Sequence, residues 1–304
     1  MLAAQNLEVS YFVDNFKAGQ SVRVGDKLIE TRRPDALLAE ERGTFAVLVG
    51  ITTEPALTQV TAQLLGMGFA AGTDYYVMTR ENLRKLLTVK LSFAELLTAR
   101  EWSDDLGNVI TVGEGCNISG TVSVCGCGNQ IHIGNNVSID NLSVTVSANN
   151  SELRIGDYVR RAGGGESITT VTINGIYGYT TLAPKVRFGE NVSFNYNLLL
   201  FTNGSDIIIG KDCMLSSDIA IKTIVGHSMY DLHSGAQLVK PKPIHIQDHV
   251  WVGMNAVLLG NAAVGTGSVV GSYAVVAKKY PNNCAIAGNP ARIVRRDIAW
   301  RGEH

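Results

Sequence analysis

The stretch that decides the fold is IHIQDHVWVGMNAVLLGNAAVGTGSVVGSYAVV, residues 244–276. Within it Ile246, Val252, Leu258, Val264, Val270 and Val276 recur every six residues. Small residues follow most of them four positions on, at Ala256, Ala262, Ser268 and Ala274, and glycine follows directly at Gly253, Gly265 and Gly271. A period of six is neither the 3.6 of a helix nor the plain alternation of a half-buried strand. It suits a triangular coil of roughly 18 residues, in which each short flat strand points one apolar side chain inward before a tight turn. Stacked coils bury a continuous apolar stripe and pair their backbones with the coils above and below. Glycine suits the corners, where φ turns positive.

The same register extends backwards. It is visible at Ile209, Leu215 and Ile221 with Gly210, at Phe188 and Phe194 with Gly189, and at Ile133 and Ile139 with Gly134. Helical periodicity stops near Asn108. Two stretches leave the phase. Residues 157–185 contain Ala162-Gly-Gly-Gly165 and Ile173-Asn-Gly-Ile-Tyr-Gly178, and residues 222–243 separate Ile221 from Ile246. Loops that interrupt a rigid scaffold are where function is usually carried.

The first hundred residues have another texture. Leu7 to Val13 alternates, TFAVLVGI (residues 44–51) is a continuous apolar run, and residues 73–78 form a further short strand. Thr53 suits an N-cap before Leu57, Val60, Leu64 and Leu65 at helical spacing, with Gly66 and Gly68 to end the helix. Ser92 and Glu95 form a capping-box pattern before a last helix reaching about Arg100. This order predicts a small α/β domain over residues 1–100, a linker at 101–107 and a β-helix over 108–304. The small domain resembles part of a Rossmann-like fold. Asp14 stands at a strand end where a ribose could be met, but no G-x-G-x-x-G turn precedes it.

Composition narrows the function. Lys plus Arg number 26 and Asp plus Glu 27, a net charge of −1, so the basic surplus of a general nucleic-acid binder is missing. Apolar residues make up 45%, enough for a large core, and 32 glycines beside 7 prolines predict many tight turns. No run of about 18 apolar residues predicts a membrane span. No basic segment followed by an apolar one predicts a signal peptide. Of five cysteines only Cys125 and Cys127 lie close, so no four-thiolate metal pattern forms. Free thiols in a reducing cytoplasm are expected.

With the six-residue register in hand, three segments resemble the acetyl-CoA-dependent hexapeptide-repeat acyltransferases, which fold as left-handed parallel β-helices. These are GENVSFNYN (residues 189–197), GHSMYD (226–231) and the run from IHIQDHVWVG to AIAGNPARIVR. The first is similar to a stretch of the galactoside and maltose acetyltransferases. GHSMYD, DHVWVG and the closing DIAWR (297–301) are most similar to O-acetyltransferases of bacterial surface polysaccharides. The fold class this implies is mainly β, a left-handed parallel β-helix with a small N-terminal α/β Rossmann-like domain. The activity implied is transfer of acetyl to a sugar hydroxyl of a surface glycan, such as a capsule, or its nucleotide-sugar precursor. Acetyl-CoA is the co-substrate, no metal is required, and the assembly is a cytoplasmic homotrimer with sites between subunits.

Transfer to an alcohol needs a base, and histidine titrates in the working range. The resemblance assigns that role to His227, with His233 as the alternative. Where many relatives have an acidic or hydroxyl residue two positions earlier, this chain has Val225, so the ring's orienting group is open between a backbone carbonyl and Asp231. Trp251 is expected to wall off water beside the reacting centre, and Asn195 to contact the acceptor. For the CoA arm the resemblance implies Gly253, Ser272 and Ala274. For its phosphates it implies Lys278, Lys279, Arg292 and Arg295, with Arg296 in the same cluster. Met254 replaces the family's usual serine, so a backbone N–H is the expected oxyanion donor. Three alternatives stay open: an N-acetyltransferase of an amino nucleotide-sugar, a zinc-dependent carbonic anhydrase using His227, His245 and His249, and a noncatalytic scaffold.

Overall fold

The structure is a computed structural model. It describes residues 12–13, 19–24, 27–40, 47–49, 54–71, 74–77, 88–163, 167–177, 180–224, 229–238 and 240–302. The chain divides into two compact units, Met1–Leu87 and Thr88–His304.

In the first unit, strands Val47–Val49 and Tyr75–Val77 pair in parallel, and helix Glu54–Gly66 joins them. Leu37, Val49, Leu64, Phe69 and Tyr75 form its core. Beyond the helix Gly68 adopts φ 82°, and the Phe69 N–H returns to the Leu64 carbonyl at 3.0 Å. That is the helix stop expected of glycine. An antiparallel pair, Ser21–Val24 with Lys27–Arg32, went unread in the sequence, and Phe12–Val13 adds to it in parallel. Asp14 and Thr53 lie outside the described residues.

The second unit is a three-sided parallel β-helix. Face one stacks Val109–Val112, Gln130–Ile133, Glu152–Ile155, Lys185–Phe188, Ile207–Ile209, Ile244–Ile246, Ala263–Val264 and Lys279–Tyr280. Face two stacks Arg160–Arg161, Ser193–Phe194, Met214–Leu215, Trp251–Val252, Val269–Val270 and Cys284–Ala287. Face three stacks Thr169–Asn174, Leu198–Asn203, Ile219–Lys222, Val257–Leu259 and Val275–Val276. In the earliest coils Asn117–Cys125 and Ser138–Ser147 run over faces two and three without a break. All six residues of the register at the end of the chain, from Ile246 to Val276, are buried, and so are Ala256, Ala262, Ser268 and Ala274.

Coil length explains where the period shows. His245 pairs with Ala263, an offset of 18 residues, but Gln130 pairs with Val109 and Glu152 with Gln130, offsets of 21 and 22. The extra residues lengthen the strand on face three, where Leu142, Val144 and Val146 all point inward. Period-two alternation there overlays the period of six.

The corners recur as well. Between faces one and two, Asn136, Tyr158, Asn191, Asp212, His249, Gly267 and Asn283 all adopt left-handed φ values of 53–70°. Asn, Asp and Gly are the residues that tolerate this region best.

The unit boundary falls earlier than the sequence predicted. Residues 88–107 pack with the β-helix, because its open end needs a cover. Helix Phe93–Ala99 puts Phe93 and Leu96 into the solenoid core. Its capping box forms as expected: Ser92 Oγ accepts from the Glu95 N–H at 3.3 Å, and the Ser92 N–H donates to the Glu95 carboxylate at 2.8 Å. Val89–Ser92 and Glu101–Ser103 then pair antiparallel against the first coil, and Arg292–Arg296 pairs antiparallel with Cys284–Ala287 at the far end. Antiparallel closures of this kind blunt strand edges that would otherwise recruit other chains.

The described residues within 157–185 include Arg160–Arg161 on face two and Thr169–Asn174 on face three. Arg161 stands in the inward column of face two, between Ile139 and Phe194. Its side chain is only 6% exposed, and the guanidinium pairs with both Asp140 carboxylate oxygens. Its cation lies 5.8 Å from the centre of the Tyr196 ring. The hexad register does not anticipate a charge in this column.

Candidate active site

The candidate residues gather on successive coils. Phe194, Leu215, Val252 and Val270 are register partners, so the residues that follow them, Asn195, Ser216, Gly253 and Gly271, form a column at the corner between faces two and three. Asn195 is exposed, and its backbone N–H donates to the Leu215 carbonyl at 3.2 Å. Trp251 keeps 36% of its surface exposed, and its indole Nε1 donates to Ser216 Oγ at 3.2 Å. Ser216 was missed in the sequence. The signal was present, since Ser216 follows Leu215 as Asn195 follows Phe194.

His249 sits two residues before Trp251 at the left-handed corner. Its ring stacks on Trp300, with centroids 4.3 Å apart and planes 6° apart. Trp300 Nε1 donates to the His249 carbonyl at 3.0 Å, and His249 Nε2 lies 3.2 Å from the Trp300 carbonyl. The Trp300 ring also meets Trp251, tilted by 45° at 6.0 Å. The sequence had singled out the DIAWR tail without giving Trp300 a role.

His227, with Val225, Gly226 and Ser228, lies outside the described residues. The segment that carries it leaves the solenoid after Ile219–Lys222 and returns at Ile244–Ile246, at the corner between faces three and one. Asn195 and Ser216 occupy a different corner of the same prism, with the width of face three between. Further along the segment, Tyr230 and Gln237 form a bridge around a turn. Asp231 Oδ1 accepts from the N–H groups of His233 and Ser234 and from Ser234 Oγ, at 3.1, 2.7 and 2.8 Å. The Ser234 backbone bond, then its hydroxyl and the His233 N–H, hold the Asp231 carboxyl below the usual carboxylate range. Oδ1 is therefore engaged within its own turn, whose Met229, Tyr230, Leu232 and Leu238 side chains are exposed.

The residues expected to hold CoA divide. Gly253 is buried, and a Cβ there would stand 2.6 Å from the Ser272 nitrogen of the next coil. Coil stacking thus accounts for this glycine. Ala274 is fully buried and fills the core, so its side chain faces away from any groove. Ser272 is exposed. Lys278, Lys279, Arg292, Arg295 and Arg296 are all exposed around the last coil and its closing strand, and among the described residues no carboxylate pairs with them.

The outer surface of face three changes character along the axis. Early coils present Thr121 and Ser123, Ser143 and Thr145, then Thr170 and Thr172. In the same two columns later coils present Leu199 and Phe201, Ala220 and Lys222, Val257 and Leu259, then Val275.

A three-sided solenoid with an aromatic corner and an inserted loop is the architecture of the left-handed β-helix acyltransferases. Residues 243–278 match the bacterial transferase hexapeptide (six repeats). The polysialic acid O-acetyltransferase of Neisseria meningitidis is 32% identical over 180 residues, 59% of this chain and 78% of that protein. The polysialic acid O-acetyltransferase of Escherichia coli O1:K1 / APEC is 32% identical over 120 residues, 40% of this chain and 39% of that protein. The chain spans about half or less of the first curated relatives it matches. The crystal structure of the polySia-specific acetyltransferase NeuO superposes with a TM-score of 0.53 at 28% identity, covering 65% of this chain and 86% of that one. The chain belongs to the hexapeptide-repeat acyltransferase family. Among the described residues no helix is long and apolar enough to cross a membrane.

Proposed function

We propose that this protein is an O-acetyltransferase that moves acetyl from acetyl-CoA to a hydroxyl of a bacterial surface glycan or its precursor. The observation that carries this reading is the match to the meningococcal polysialic acid O-acetyltransferase over most of that relative's length. An anionic sugar polymer is therefore the first acceptor class to test.

In the reaction the acceptor oxygen attacks the thioester carbonyl carbon. A C–O ester bond forms, the C–S bond breaks, and CoA leaves as the thiol with the proton that the base removed. His227 is the base, with His233 as the alternative. Asp231 Oδ1 is tied into its turn, so either its second oxygen or a backbone carbonyl orients the ring. Asn195 contacts the acceptor. Trp251, held by Ser216, walls the site against water. Ser272 and the backbone at Gly253 and Ala274 line the CoA arm, and Lys278, Lys279, Arg292 and Arg295 hold its phosphates.

The protein works as a homotrimer with each site between copies. The strands that flank the segment carrying His227 meet at one corner of the solenoid and Asn195 stands at another, which suits a site completed by a neighbouring copy. The apolar half of face three and the exposed turn around Leu232, 92% exposed, suit burial against that neighbour. The acetyl donor places the reaction in the cytoplasm.

The test is incubation with acetyl-CoA and either polysialic acid, a neutral capsular glycan or an amino nucleotide-sugar, followed by mass spectrometry. A glycan gaining acetyl groups that mild hydroxylamine removes is the expected result. A hydroxylamine-stable amide on the amino sugar, with no ester on any glycan, would overturn it.

A further inference from the structure

We propose that Trp300, from the C-terminal tail, is a positioning residue that locks the His249 corner and braces Trp251 for acyl transfer. This rests on the proposed function.

The corner itself gives the first reason. Other coils fill this left-handed position with Asn136, Asn191, Asp212, Gly267 and Asn283, and only Tyr158 joins His249 in departing from those types. Histidine, like Asn and Asp, is enriched among non-glycine residues in that region, so the corner accepts the residue and leaves its ring to meet Trp300. The two residues share a parallel stack and the reciprocal pair of polar contacts given above. A carbonyl oxygen only accepts, so the contact from Trp300 O places the imidazole proton on Nε2 and leaves Nδ1 as an acceptor in the neutral ring.

The tail arrives there by a defined route. Strand Arg292–Arg296 runs back along Cys284–Ala287, and the Ile298 N–H donates to the Asn283 carbonyl at 3.0 Å. Asn283 occupies the same corner two coils beyond His249. From there Trp300 reaches both His249 and Trp251. The Trp251 indole is thus restrained at its N–H by Ser216 and along its ring by Trp300. Without the tail, Trp251 would keep the Ser216 bond but lose its aromatic neighbour, while about one-third of its surface remains exposed. Small losses of alignment at a reacting centre cost rate out of proportion to their size.

The experiment uses the full-length protein. Trp300→Ala removes stack and hydrogen bond, Trp300→Phe keeps the stack, and His249→Asn keeps the left-handed corner without the ring. With polysialic acid as acceptor, Trp300→Ala and His249→Asn are each expected to lose about tenfold in kcat/KM, with KM for acetyl-CoA within about twofold of wild type. Trp300→Phe should recover most of that loss. The chain has three tryptophans, so in a Trp102→Phe background Trp251 fluorescence should be quenched more readily by acrylamide with Ala at 300 than with Phe. Unchanged kcat/KM in folded Trp300→Ala, or a loss confined to KM for acetyl-CoA, would overturn the positioning role. Unchanged quenching would overturn the brace. A wild type that acetylates no acceptor would instead refute the proposed function, and the quenching comparison would still decide whether Trp300 holds the corner.

Discussion

Gly253→Ala separates a packing role from a ligand-binding role at the same residue. The added Cβ would lie 2.6 Å from the Ser272 nitrogen, 2.9 Å from the Val270 carbonyl oxygen and 3.0 Å from the Gly271 carbonyl carbon. All three are backbone atoms of the next coil, which is fixed by its own ladder bonds. Relief to ordinary contact needs a local coil separation approaching 1 Å, and overpacking of this kind costs roughly 1–3 kcal/mol. For a unit of this size about 2 kcal/mol corresponds to roughly a 4–8 °C fall in Tm. Gly271→Ala is the matched control. Its Cβ would meet the Ala287 Cβ at 3.2 Å and the Ile286 oxygen at 3.4 Å, a contact that yields at a cost below about 1 kcal/mol. Thermal unfolding by circular dichroism at fixed protein concentration reads both. A Gly253→Ala Tm within 1 °C of wild type (on the order of the assay's resolution), or an equal fall in Gly271→Ala, would refute the stacking explanation.

Three further outcomes are expected. Asp140→Ala should destabilise more than Arg161→Leu in denaturant unfolding, because the first takes a carboxylate partner from a buried guanidinium while the second restores an apolar column; the reverse order would count against a charge in that column. Native protein should label quickly at no more than Cys116, Cys125 and Cys127, because Cys213 and Cys284 are buried and burial pushes the Cys213 thiol up to about 12; rapid modification of Cys213 would contradict its placement. Glu152 is held below the usual carboxylate range, first by its hydrogen bond from Arg187. A carboxylate lowered in the folded state contributes stability above its unfolded pKa and loses it as pH falls through the folded value. The Tm of wild type should therefore drop on acidification from about pH 5 to 3 more steeply than that of Glu152→Gln; parallel curves would deny the pair a role.

The solenoid was legible because its last coils are minimal. With one inward residue per side, Ile246 to Val276 print the six-residue period directly into the sequence. Earlier coils carry longer strands on face three, so Leu142, Val144 and Val146 blur the period while serving the same core. Arg161 was unreadable because nothing local marks a charge as inward-facing; its partner Asp140 lies one coil away. The roles of Ser216 and Trp300 depend on stacking between residues 35 and 51 positions distant from their partners. Register supplies the first once the coil is drawn, whereas the tail's return path has no signature in composition or spacing. Ala274 carries two readings at once: the period of six marks its side chain as inward, and the structure buries it, so the CoA role implied by the resemblance falls to its backbone.

The central claim is base-assisted acetyl transfer, and acceptor-dependent release of free CoA from acetyl-CoA measures it most directly, with wild type beside His227→Ala. The expected result is steady turnover in wild type that requires a glycan acceptor and falls by at least about a hundredfold in His227→Ala, with folding and acetyl-CoA binding intact. Equal turnover in the two proteins would contradict the assignment of the base, and no acceptor-dependent turnover in wild type would contradict acetyl transfer itself.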